Sequence, residues 1–170
     1  MVQKSSFLAV LEIFFAEPTS IHFIKEIGRQ IDLAPTSVRT SIALLLASKL
    51  VKKKKSRPFD GFVADRENDD FIYYKRVYNL YALNELRHAL VEAYYPRLLV
   101  LFGSYSIGED VETSDIDLFM LSKTKKEMNL AGFEKKLKRK INVLILEDFE
   151  KLDDAIKKKI FNGIVLHGGF

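Results

Sequence analysis

"LFGSYSIGEDVETSDIDLFML", residues 101–121, decides how the second half of the chain is read. An apolar run ends in Gly103-Ser104, and about ten residues later Asp115 and Asp117 stand one residue apart at the start of a second apolar run. Side chains alternate faces along a strand, so the two aspartates are expected on one side, with Ile116 and Leu118 on the other, in the core. Two like charges sharing a face repel one another unless a cation lies between them. Hard divalent ions such as Mg2+ suit oxygen ligands of this kind and commonly take one or two carboxylates plus phosphate oxygens. Gly103 permits a tight turn, and Ser104 opens a turn whose N–H groups and hydroxyl can hold phosphate.

Composition bounds the remaining possibilities. The 170 residues contain no cysteine, which excludes disulfides and thiolate metal sites. His22, His88 and His167 show no ligand spacing. Glu12 interrupts the N-terminal apolar stretch, and no apolar run approaches the roughly 20 residues that cross a bilayer. A cytoplasmic protein without a membrane partner is therefore expected. The net charge of +4 and the pI near 9.1 permit a polyanionic partner.

Upstream of the opening stretch, residues 5–18 place Phe7, Leu8, Leu11, Phe14 and Phe15 at helical spacing before Pro18. Ile24, Ile27 and Ile31 mark a second helix. A third opens at Pro35, with Val38, Ile42, Leu45 and Leu46 inward. The short gap between these two suits a helix-turn-helix. "LVKKKKS" and the aromatic "FIYYKRVYNLYAL" read as the two strands of a hairpin around a long loop. Three helices and a basic-rimmed hairpin resemble a winged helix-turn-helix domain over residues 1–83. That resemblance implies DNA contact from Thr36, Ser37, Arg39 and Thr40 on the third helix, and from Lys52, Lys53, Lys54, Lys55 and Arg57 on the wing.

A connecting helix capped by Asn84 is expected over 84–96, ending at Pro96. From 97 to 170 strands alternate with helices: "RLLVLF", "DIDLFML", a lysine-rich helix to about residue 140, "INVLIL", and a last helix from about Asp148. The fold class expected is α+β, with helices covering one face of a mixed sheet.

"FGSYSIGEDVETSDIDLFML" resembles the signature of the DNA polymerase β-type nucleotidyltransferases, and the short chain their minimal members. The resemblance implies transfer of a nucleoside monophosphate from a nucleoside triphosphate to a hydroxyl. Mg2+ or Mn2+ would be held by Asp115 and Asp117. Gly103, Ser104, Gly108 and Ser114 would lie along the nucleotide. The third acidic residue of that family should fall early in "KINVLILED", where Asn142 stands, with Glu147 or Asp148 as substitutes beyond the strand. An amide oxygen can ligate a metal but cannot serve as a base. Two alternatives follow: a DNA-binding regulator whose transferase domain binds nucleotide without turnover, and the antitoxin of a toxin–antitoxin pair. A protein partner or a second copy of the chain would then be engaged.

Overall fold

The computed structural model describes residues 5–124 and 126–169. The chain divides into two compact units, Met1–Lys75 and Arg76–Phe170.

In the first unit, α1 (Ser6–Ala16) begins where the Ser5 hydroxyl accepts the Leu8 N–H at 3.3 Å. Its inward face carries Val10, Leu11, Ile13, Phe14 and Phe15, whereas Leu8 is exposed. Helix α2 (Ile24–Gln30) buries Ile27, and α3 (Pro35–Ala47) starts at Pro35 and buries Val38, Ile42 and Leu45. Strands β1 (Val51–Lys54) and β2 (Gly61–Ala64) pair antiparallel with Val51 opposite Ala64 and Lys54 opposite Gly61. His22, between α1 and α2, bridges to Phe62 and adds a third short edge. It is buried, bonded through Nε2 to the Glu17 carbonyl at 2.9 Å, and stacked edge-on with Phe14.

The hairpin is shorter than the sequence suggests, and "FIYYKRVYNLYAL" is not a strand. Its residues 71–82 lie in helix α4 (Asp69–Ala82), which starts in the first unit and ends in the second, and Leu83 follows the helix. Asn68 caps it, accepting from the N–H groups of Asp70 and Phe71 at 2.8 and 3.2 Å. The buried positions Phe71, Lys75 and Asn79 recur every four residues, a helical period. Two of the three are polar. Lys75 is held by the carbonyl of Phe15, and so the apolar pattern alone hid the helix while aromatic and β-branched content favoured a strand.

In the second unit, α5 (Asn84–Tyr94) has Asn84 as its first helical residue, not its cap; the Asn84 side-chain Oδ1 instead accepts from Arg87 Nη2. Tyr95, in the left-handed conformation, ends the helix before Pro96. Strand β3 (Leu98–Phe102), helix α6 (Ser104–Ile107), β4 (Ile116–Leu121), α7 (Ala131–Leu137), β5 (Ile141–Leu146), a 3-10 turn (Phe149–Lys151), α8 (Asp154–Phe161) and β6 (Ile164–Gly168) follow. The sheet order is β5-β4-β3-β6, with β4 and β5 parallel and the other pairs antiparallel. Strand β6 was not anticipated, and α7 stops at Leu137, earlier than its lysine pattern suggests.

Layers also cover both faces of this sheet, not one. Leu99, Leu101, Leu118 and Met120 pack with Leu86, Leu90 and Tyr94 of α5, whereas Leu98, Val100 and Phe119 pack with Leu152 and with Ile160 of α8. A strand buried on both faces is apolar at every position, as β3 is. Each fully buried leucine contributes roughly 1.5–3 kcal/mol relative to an exposed one. The two central strands are thereby fixed in register, and their ends carry the candidate site. Among the described residues no helix is long and apolar enough to cross a membrane.

Candidate active site

Register brings the site together. Phe102, the last residue of β3, pairs with Asp117 on β4, and Asp117 pairs in turn with Asn142 on β5. Asp115 immediately precedes β4, and the Ile116 N–H is fixed to the Lys140 carbonyl at 2.8 Å. The carboxylates of Asp115 and Asp117 converge on one amide: Asn142 Nδ2 donates to Asp115 Oδ2 at 3.2 Å and to Asp117 Oδ1 at 3.0 Å. Both aspartates are half-buried, with Ile116 and Leu118 in the core between and beyond them.

Gly103 closes the site from the β3 side. Its φ of 74° and ψ of −166° lie where only glycine is at ease. A Cβ there would sit 2.7 Å from Asp117 Oδ2. The Gly103 carbonyl accepts from the Ser106 hydroxyl at 2.7 Å, Ser104 starts the single turn of α6, and Gly108 ends that turn in the left-handed region. Ser114 braces the approach to Asp115, its hydroxyl accepting the Val111 N–H at 2.9 Å. Asp115 also borders an open groove of about 490 Å³ between residues 112–115 and a wall containing Glu134, Lys138 and Lys140.

Two carboxylates and an amide, all able to present oxygen, form a hard donor set of the kind Mg2+ or Mn2+ takes. The Asn142 N–H2 group now lies between the carboxylates, and turning that amide over would present its oxygen instead. The set stops there. Among the described residues, no group of three His, Cys, Asp or Glu side chains is placed to hold a metal. Glu147 and Asp148 do not supply the third carboxylate. Both follow the far end of β5, five and six residues and so at least roughly 16 Å along the strand direction from Asn142, and Asp148 instead caps the 3-10 turn.

Behind the turn lies a polar cluster that sequence reading missed. Asp110 and Asn79 are each 1% exposed. Asn79 Nδ2 donates to the Tyr105 carbonyl and to Asp110 Oδ1, both at 2.8 Å. Arg139 Nη2 lies 3.7 Å from Asp110 Oδ2, and its Nη1 donates to the carbonyls of Glu112 at 2.9 Å and Lys138 at 3.2 Å. Arg76 Nε donates to the Ser106 carbonyl at 3.3 Å. The buried Tyr105 hydroxyl is pushed well above its usual range, by desolvation first and then by the Asp110 charge.

A family model for the nucleotidyltransferase domain matches residues 83–167, half of the chain. The chain belongs to the nucleotidyltransferase family. Comparison with curated proteins gives no match. The converging carboxylates, the Gly103 turn and Asn142 all fall inside the matched nucleotidyltransferase domain.

The residues singled out for nucleic acid lie in the other unit. Thr36, Arg39 and Thr40 are exposed and Ser37 half-buried on the first turns of α3, where the Thr40 hydroxyl donates to the Thr36 carbonyl at 3.2 Å. Lys53, Lys54, Lys55 and Arg57 are exposed on the hairpin. Lys52 differs: its ammonium is 3.1 Å from Asp65 and 3.7 Å from Glu67, and the Asp65 hydrogen bond raises its pKa.

Proposed function

We propose that the chain transfers a nucleoside monophosphate from a nucleoside triphosphate to a hydroxyl acceptor, at Asp115, Asp117 and the Gly103–Ser104 turn. The observation that carries this is the pair of carboxylates meeting at one point beside Gly103, locked there by strand register. Asp115 and Asp117 would hold Mg2+ or Mn2+, which when bound supplies charge neutralisation for the phosphates. Gly103, with no side chain, leaves phosphate oxygens free to approach the backbone, and Ser104 offers its N–H and hydroxyl. Gly108 closes the turn, and Ser114, whose hydroxyl accepts the Val111 N–H, lies beside Asp115 along the nucleotide. The acceptor reaches Asp115 through the open groove. Its oxygen bonds to the α-phosphorus as the α–β bridging bond breaks, pyrophosphate departs, and the acceptor proton passes to a carboxylate or to water. Asn142 cannot take that proton.

A second reading is favoured by Asn142 itself: a DNA-binding regulator whose domain binds nucleotide without turnover. Labelled nucleoside triphosphates with Mg2+ or Mn2+ separate the two. Transfer by the wild type supports the first, with Asn142→Asp faster by roughly ten- to a hundred-fold because a charged third ligand is restored. Binding without transfer, with turnover gained only in Asn142→Asp, supports the regulator. Absence of any nucleotide binding contradicts both.

For the first unit we propose a winged helix-turn-helix that binds DNA. Support comes from the α2–α3 pair, the hairpin after it, and the exposed cations at residues 53–55 and 57. Each lost phosphate contact flattens the slope of log affinity against log salt by about 0.9. Replacing Lys53, Lys54 and Lys55 with glutamine is expected to flatten it by up to about 2.7 in duplex titrations, and Lys52→Gln by less than about 0.9 because Asp65 and Glu67 already engage that ammonium. An unchanged slope in the triple variant removes the hairpin from the interface.

A further inference from the structure

We infer that Asn79, Asp110 and Arg139 are positioning residues that set the distance between the Gly103–Ser104 turn and Asp115; this rests on the nucleotide and metal site proposed above. Residues 104–114 join the two halves of that site, and three points along them are gripped from behind. Asn79 holds the Tyr105 carbonyl and Asp110 through its two amide hydrogens. Arg139 faces the other oxygen of Asp110 and holds the Glu112 carbonyl. Arg139 also stands three residues before Asn142, so one guanidinium links the loop bearing Asp115 to the start of the strand bearing the amide between the carboxylates.

Burial makes this arrangement informative. The side chains of Asp110 and Arg139 are 1% and 6% exposed. A buried ion pair returns little net stability, because desolvating both charges offsets their attraction, and an apolar pair of similar volume often folds as well. What charge and hydrogen bonds supply, and leucine or methionine cannot, is a fixed set of directions. Here those directions run to backbone carbonyls near both ends of residues 104–114. None of the three side chains hydrogen-bonds to Asp115, Asp117 or Asn142 in the structure, so their effect passes through the loop.

The test compares Asp110→Asn and the paired variant Asp110→Leu/Arg139→Met with wild type in the full chain. Mn2+ binding is followed by loss of the free aqueous ion's paramagnetic resonance signal, with a non-hydrolysable nucleoside triphosphate present. Thermal midpoints come from circular dichroism. The paired variant is expected to melt within a few degrees of wild type yet need at least about tenfold more Mn2+ for half-saturation, as when a metal site loses its orienting partners. Variants that melt lower but keep the wild-type Mn2+ midpoint would make the cluster structural only and overturn the inference. If Asp110→Asn fails to fold, the paired variant and Asn79→Ser decide; failure of all three to fold also overturns it. A wild type that takes up no Mn2+ with nucleotide removes the site reading and this inference together, an outcome distinct from an unchanged midpoint in the variants.

Discussion

Asp117→Asn is expected to reduce nucleotidyl transfer by at least ~1000-fold while leaving the protein folded. The side chain keeps its size, and residue 117 keeps its pairing with Phe102 and Asn142. Only the charge goes. Groups that neutralise charge in a transition state are worth about 100- to 1000-fold each, and under the proposed function a carboxylate that would hold the neutralising cation should lie at or beyond the top of that range. Stability should move the other way, if at all. Asp115 and Asp117 both reach the same amide of Asn142, and removing one charge relieves repulsion between them. Sites that work against folding in this manner commonly become more stable when disabled. Initial rates with labelled nucleotide and a thermal melt check both halves. Transfer within a few-fold of wild type would move the chemistry away from Asp117.

Gly103→Ala is expected to be nearly as damaging, for a different reason. The backbone at Gly103 has a φ of 74° with an extended ψ, a region that costs a side-chain-bearing residue about 1–3 kcal/mol. The added methyl carbon would also meet Asp117 Oδ2 at 2.7 Å, closer than packed atoms tolerate. Either the turn opens or the carboxylate leaves its place, so transfer should fall about 100-fold even where the variant folds. Gly132 in α7 is the control. Nothing lies within 4 Å of a methyl group placed there, and alanine in a helix interior is favoured by up to about 1 kcal/mol. A Gly103→Ala protein that behaves like Gly132→Ala would mean that the turn does not work against Asp117.

Much of the second unit was legible because its central strands are apolar at nearly every position and bounded by glycine, serine and aspartate. The spacing from Gly103-Ser104 to Asp115 and Asp117 was legible for the same reason: charge at the mouth of an apolar strand is conspicuous. Helix α4 was not, since its inward row runs Phe71, Lys75, Asn79 and only one of these is apolar. Strand β6 escaped because "IVLHG" is too short to distinguish from the tail of a helix, and its assignment comes from pairing with β3, about 65 residues earlier in the sequence. Asp110 and Arg139 were not singled out in the sequence; their burial follows from a pairing across 29 positions that no local pattern announces. The same limit applied to Glu147 and Asp148, whose distance from Asn142 depends on where β5 begins and ends.

The most direct measurement is anomalous scattering from a crystal of the wild-type chain grown with Mn2+ and a non-hydrolysable nucleoside triphosphate. The proposed site requires a Mn2+ peak at bonding distance, about 2.0–2.2 Å, from carboxylate oxygens of both Asp115 and Asp117. The phosphates should lie along the Gly103–Ser104 turn, and the Asn142 N–H2 group should be displaced from between the carboxylates. Nucleotide bound with Asn142 Nδ2 still bridging the two aspartates and no metal there, or a peak at any other carboxylate, would contradict it.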